Sequence, residues 1–379
     1  MLHREDNTQK KYAFLKDTLS MFYKKYGYEQ ITIPMFMPYE LYKKFNFSHQ
    51  NEELKLIDGN GNILVIRADA TFHVLKTAST LKSKENEKYF YEAKVFRNIN
   101  KDYTLDEINQ TGVECFLKES DIVDSDIIAL ALSSLFALGI KDIRLDLSHA
   151  DFVYALIEEI DEIKKDEVEI VHKFIEQKNR DDLISYLDKK NVNKKYKDKL
   201  IDICMLFGDF EEVISKARTI AINDKMNDAL DKIEGVYNIL KLYNLDKYVY
   251  LDLGFTNAMN YYSGIMFKVY SIDAGGEIIN GGRYDRLARK IAGRSGACGF
   301  SQNLDLTAQI LKDDNDYFFS VDYLIYCTNE DTKKGIDMSK QLRDKGYNVS
   351  LIEGKNFKVV DRKKNKSLKR EEIVNLIGE

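Results

Sequence analysis

Tryptophan is absent from the chain, proline occurs twice and cysteine four times in 379 residues. Together with abundant lysine, asparagine and isoleucine, this scarcity reflects the bias of an AT-rich genome and carries no functional information. The cysteines (Cys115, Cys204, Cys298 and Cys327) are dispersed, with no CxxC pair and no histidine at ligand spacing. That pattern gives no metal site and predicts buried, reduced thiols. His3, His49, His73, His149 and His172 show no mutual spacing for a metal either, and His149, in Ser148-His149-Ala150, reads as a helix cap or core residue. No apolar run approaches the ~18 residues that span a bilayer. The opening Met1-Leu2-His3-Arg4-Glu5-Asp6 carries charge where a signal peptide has its apolar stretch, so a cytoplasmic protein with no membrane partner is expected. Positive charge is not in excess: the net charge of −5 supplies no global attraction to nucleic acid. A phosphate loop of the form GxxxxGK(S/T), a GxSxG elbow and a reactive-cysteine signature are all missing, and no cofactor is expected.

What remains is an ordinary globular composition, 44% hydrophobic and 31% charged, on a chain long enough for two or three domains. Tyr12, Leu15, Leu19, Phe22, Tyr23 and Tyr26 recur at three- and four-residue spacing and predict an amphipathic helix over about 6–26, ended by Gly27. Gln30-Ile31-Thr32-Ile33-Pro34 then runs extended, and Asp58-Gly59-Asn60-Gly61 predicts a hairpin between residues 54–57 and 63–66. Strands are expected over Tyr89–Phe96 and Ile108–Leu117, followed by a buried helix over Ile127–Leu138. Between about 151 and 243 the chain turns to Lys, Glu, Asp, Leu and Ile with helical periodicity, which reads as a helical insertion. Strands return at Val249–Leu253, Gly264–Tyr270 and Glu277–Asn280. After a polar linker at Lys312–Asp316, a small α/β unit follows: strand Val321–Tyr326, helix about Thr332–Lys345 and strand Tyr347–Ile352. A highly charged tail that reads as only partly ordered closes the chain.

The most specific local signal is Asn260-Tyr261-Tyr262-Ser263-Gly264, followed by Asn280-Gly281-Gly282-Arg283-Tyr284-Asp285-Arg286-Leu287. A tyrosine pair ahead of a GGRYD turn resembles the core of histidyl-tRNA synthetase and its non-ligase relatives. Tyr26–Pro34 resembles motif 1 of the class II synthetases, which builds a dimer interface. Tyr91–Arg97 with Asn109–Glu114 resembles motif 2, and Gly299–Leu304 stands where motif 3 belongs. The similarity runs from about Tyr12 to Leu311. It implies an α+β fold: a class II synthetase-like antiparallel sheet flanked by helices over 1–312, with the helical insertion at about 151–243. The unit at 320–379 would be a shortened remnant of an anticodon-binding-like domain, so a tRNA partner is not expected.

A histidine pocket needs an acceptor for an imidazole N–H and aromatic walls around the ring. Glu114 lies four residues after Gln110, on the same strand face, and can supply the acceptor. Taken singly, Glu114 would read as a paired charge and Tyr262 as a core aromatic; the motif context selects the pocket. By resemblance, Glu114 and Tyr262 recognise the imidazole and Tyr261 belongs to the same ligand-binding set. Asp69, Thr71 and Gln110 then hold the α-amino group. Asp69 is a shortened Glu by that comparison, and Ala68 replaces a proline.

Adenylate formation demands more, because charge developing on a phosphate calls for forked guanidinium donors. The family uses three arginines for this, and only Arg97 survives. Asn257 and Leu306 occupy the other two positions, while Ile99 and Ile108 replace residues that contact adenine. Loss of one oxyanion-type donor costs about 3–4 kcal/mol in comparable sites. Arg97 then either faces a ligand carboxylate or serves as a structural ion-pair partner.

A histidine pocket without adenylation arginines resembles the regulatory subunits of ATP phosphoribosyltransferase. That resemblance implies no catalytic residues of its own, a short-form catalytic subunit as partner and histidine as effector. It further implies homodimerisation through the motif 1 region within a hetero-octamer, and activation with histidine feedback at the first step of histidine biosynthesis. A divergent active histidine–tRNA ligase is the alternative, with Arg283 or Arg294 replacing the lost charge. A paralogue that binds another small molecule or protein is a third reading.

Overall fold

The computed structural model describes residues 2–45, 54–81, 87–98, 105–255, 262–312, 321–362, 364 and 366–377. Two compact units emerge, Leu15–Leu311 and Met1–Phe14 with Lys312–Glu379. Asn257, Tyr261, Ile99, His49 and most of the expected linker, 313–316, lie outside the described residues.

The larger unit is organised by a nine-stranded sheet. Across it run Glu29–Gln30, Lys88–Asn98, Leu105–Cys115, Cys298–Asn303, Glu277–Arg283, Ile265–Ser271, Ile143–His149, Val249–Asp252 and Phe207–Asp209. Most pairings are antiparallel, as expected of this fold class, but the sheet is mixed. Glu29 pairs with Tyr89, and Leu145 with Val249, in parallel. The reason is connectivity, since parallel neighbours require long crossovers. The second crossover contains six helices, from Ala150–Ile157 to Asp224–Leu242, together with the edge strand Phe207–Asp209. Its last helix packs along Asp121–Ala137, where the Ser125 hydroxyl donates to the Val236 carbonyl at 3.2 Å.

Local signals worked where the expected periodicities were strong. Leu15, Leu19 and Tyr23 all lie in the core on helix Leu2–Lys25, and Asp121–Ala137 is the buried helix. The hairpin forms with Ile57 opposite Ile63. Its Asp58 carboxylate accepts the Asn60 and Asn62 amides at 2.9 and 2.8 Å, while Gly61 takes φ +84°. A third strand, Phe36–Pro38, pairs with Ile63–Ile66 and completes a small second sheet. All four cysteines are free and buried.

In the smaller unit, Tyr323–Cys327 pairs in parallel with Val349–Glu353 around helix Thr332–Asp344. The charged tail corrects the sequence reading. It contributes strands Lys358–Asp361 and Lys366–Ser367 and helix Arg370–Ile377. Val359 is buried with Ile325, Met338 and Leu342, and Ile373 and Leu376 pack against them. A few apolar positions were enough to anchor a segment whose average composition is polar. No helix among the described residues is long and apolar enough to cross a membrane.

Candidate functional site

Alternation along strand Leu105–Cys115 turns Gln110, Gly112 and Glu114 to one face. Two close approaches make that face a cavity floor. A Cβ on Gly112 would meet the Tyr91 hydroxyl and the Phe300 carbonyl at 2.5 Å each, so Tyr91 occupies the space a side chain would fill. A Cβ on Gly299, the register partner of Glu114, would lie 2.2 Å from the Glu114 carboxylate. Over this floor lies a cavity of about 370 Å³.

Six of the seven predicted ligand residues, Asp69, Thr71, Arg97, Gln110, Glu114 and Tyr262, line that cavity. Tyr261, the seventh, lies outside the described residues. Asp69 caps helix Ala70–Thr80, its carboxylate accepting the Phe72 amide at 3.1 Å. The cap places Thr71 in the first turn, where its hydroxyl donates to Glu114 Oε1 at 2.8 Å. The Arg97 Nε donates to the Ala68 carbonyl at 3.0 Å, and among the described residues Arg97 makes no ion pair. Gln110 donates to the Tyr91 hydroxyl at 3.2 Å, and the Tyr262 hydroxyl donates to Asn280 Oδ1 at 3.1 Å. Arg67 stands behind the site, donating to the Lys94, Ile33 and Pro34 carbonyls and so tying the first two motif segments together.

Glu114, only 2% exposed, is the electrostatic centre. Burial pushes its carboxyl up to about 8, although hydrogen bonds donated by Tyr284 and Thr71 pull the other way. Burial also raises Asp69, opposed by the positive charge of Arg97. A carboxyl that titrates near neutrality can meet an imidazole as acceptor or donor. Tyr284, which donates to Glu114 Oε2, is a site residue that the motif reading quoted without assigning it a role. Only the strand register brings it beside a residue 170 positions away.

Ile108, two residues before Gln110 on the same strand face, and Leu306 also line the cavity, at two of the positions where the resemblance to the synthetases places adenylation contacts. The arginines offered as replacements are engaged elsewhere. Arg283 is 1% exposed and gives its N–H groups to Asp124 (2.9 and 2.6 Å), Asp285 (2.9 Å) and the Leu117 carbonyl (3.3 Å). Arg294 pairs with Glu87 at 2.5 Å. Neither lines the cavity, which corrects the suggestion that one of them restores the lost charge.

This fold, with this cavity, defines a histidyl-tRNA synthetase-like protein, and the family model for histidyl-tRNA synthetase matches residues 4–306. The ATP phosphoribosyltransferase regulatory subunit of Oceanobacillus iheyensis is 30% identical over 347 residues, covering 90% of this chain and 84% of that relative. The chain belongs to the family of ATP phosphoribosyltransferase regulatory subunits. A solved ATP phosphoribosyltransferase regulatory subunit/histidyl-tRNA synthetase from Bacillus halodurans superimposes with a TM-score of 0.77 at 25% identity, covering 91% of this chain and 89% of that one. A chain of the ATP phosphoribosyl transferase complex from Thermotoga maritima shares the fold, with a TM-score of 0.56 at 18% identity over 76% of this chain and 96% of that one.

Proposed function

We propose that this chain is a non-catalytic regulatory subunit that binds histidine over Glu114. In this reading it activates the short catalytic subunit of ATP phosphoribosyltransferase and makes it sensitive to inhibition by histidine. The observation that carries the reading is the lining of the cavity, where Asp69, Thr71, Gln110 and Glu114 meet the apolar Ile108 and Leu306. Hydrogen-bonding groups suited to an amino acid converge on the cavity, while by resemblance Leu306 stands where an adenylate would need a charged donor and Ile108 where an aromatic would stack on adenine. Glu114 and Tyr262 meet the imidazole, Asp69, Thr71 and Gln110 the amino group, and Arg97 the carboxylate, with Tyr261 completing the set. Ligase activity of its own is lost, and tRNA is not a partner. Histidine acts allosterically in the strict sense, favouring one arrangement of the assembly by binding it more tightly.

The assembly that goes with this reading is a cytoplasmic hetero-octamer with the short catalytic subunit. Its chains are divided into a synthetase-like domain over 1–312, with its insertion at about 151–243, and a small unit over 320–379. Homodimerisation through the motif 1 region has local support. Met35 and Phe36, next to that motif, and Ile57 and Ile63 on the same small sheet are exposed apolar side chains.

The test is an ATP phosphoribosyltransferase assay on the short catalytic subunit of the same organism, with and without this chain and histidine. Activation by the chain and inhibition by added histidine are expected, with ATP–pyrophosphate exchange by the chain alone at background. No association and no change in rate would reject the regulatory reading; exchange above background would restore the ligase.

A further inference from the structure

A second and larger cavity, of about 710 Å³, shares Phe255 and Tyr262 with the first. Its volume falls within the range of small-molecule sites. The remaining walls come mainly from helices Ala150–Ile157 and Val168–Glu176 and from the start of helix Asp285–Ala292. Apart from Tyr262, none of its lining belongs to the histidine set.

The lining is rich in hydrogen-bond donors. Lys165, Lys173 and Arg286 make no ion pair among the described residues. Arg286 spends one N–H on the Tyr262 carbonyl at 3.3 Å, which leaves most of its fork available. His149 caps its helix by accepting the Asp151 amide on Nδ1 at 3.2 Å. The neutral ring therefore carries its proton on Nε2, and that donor has no partner among the described residues. His172 Nε2 is buried and likewise unpartnered. Burial holds both imidazoles neutral, down at about 4.

Three acids also line the cavity. Glu176 lies 3.9 Å from Lys268, Glu169 has interactions of its own, and burial raises the Asp151 carboxyl while the positive charge of Arg286 lowers it. The rest of the wall suits a flat ring: Tyr154 lies 6.4 Å from the His172 ring at 56°, with Phe255 and Tyr262 beside them.

We propose that this cavity is a second ligand site, for a small phosphate ester bearing a planar ring, of the size and type of a nucleoside monophosphate. Arg286, Lys165 and Lys173 take the phosphate, since guanidinium and ammonium groups are the side chains suited to its oxygens. His149 Nε2–H donates to the ligand, and Tyr154 and Phe255 pack against its ring. Because Phe255 and Tyr262 belong to both cavities, the two ligands would meet across one aromatic wall.

Calorimetric titration of the full chain with AMP, adenosine and inorganic phosphate tests this. AMP is expected to bind, with adenosine and phosphate each weaker by about tenfold or more, the value of one or two charge-assisted hydrogen bonds. Arg286→Ala, an exposed position, should weaken AMP by a similar factor, and Lys165→Glu with Lys173→Glu should do so independently should the first variant not fold. Equal binding of AMP and adenosine, or no AMP binding at all, would overturn the proposal. So would loss of AMP binding in Arg97→Ala with Arg286→Ala unaffected, which would put the nucleotide in the first cavity.

Discussion

Glu114 is a carboxyl that the fold makes both acceptor and weak acid. Its native value of about 8 lies above the ordinary 4.5, so between those limits the folded chain holds a proton that the unfolded chain has released. Its contribution to stability is therefore lost as pH rises through that window, by at most about 1.4 kcal/mol per pH unit. His73, His149 and His172 work in the opposite sense. Each is pushed down to about 4 from 6.5 by burial, and their contribution is lost as pH falls through that range. Comparison above pH 6.5 thus sets these imidazoles aside. Urea unfolding of the chain and of Glu114→Gln from about pH 6.5 to 8 should show the wild type losing stability relative to the variant. Parallel pH profiles for the two proteins would mean that Glu114 is not held protonated in the fold.

At the scale of elements, the sheet is tied to its covering helix by a buried charge pair. Arg283 ends strand Glu277–Arg283 and reaches Asp124 on helix Asp121–Ala137, with both side chains at most 2% exposed. Asp124→Ala should cost about 3–5 kcal/mol, because it strands a guanidinium that has only Asp285 and one carbonyl left. A double change to Asp124→Leu and Arg283→Met should recover much of that loss, since the pair as a whole contributes little beyond its desolvation. The midpoint of denaturant unfolding reads both, and an unshifted midpoint in Asp124→Ala would show that the pair does not hold these elements together. The same pair helps explain why Arg283 serves no ligand: it is 1% exposed and makes four hydrogen bonds inside the protein.

For the whole molecule, the exposed face near the first motif makes the sharpest prediction. Ile57 is 73% and Phe36 45% exposed, an unusual cost for a small sheet unless another surface covers it. On the proposed dimer, Phe36→Glu should shift sedimentation from dimer to monomer while the circular dichroism of the folded chain is retained. A variant that remains dimeric would move the interface elsewhere. On the proposed assembly, the same variant should blunt activation of the catalytic subunit, because a hetero-octamer built on that dimer would not close without it.

The sequence alone determined what is local. Asp58-Gly59-Asn60-Gly61 made its turn because Asp58 can bond its own neighbours and Gly61 can take positive φ. Leu15, Leu19 and Tyr23 faced the core because helical periodicity put them there. The polar residues of the cavity and the apolar replacements Ile108 and Leu306 were also legible, since they lie within recognisable motifs. Register was not legible, because pairing between strands far apart in the chain depends on packing across the whole sheet. Tertiary structure alone put Tyr284 on Glu114, gave Tyr91 the space over Gly112, locked Arg283 onto Asp124 and opened the second cavity beside Tyr262. It also turned a charged tail into two strands and a helix, because the burial of a few side chains such as Val359 outweighs average composition.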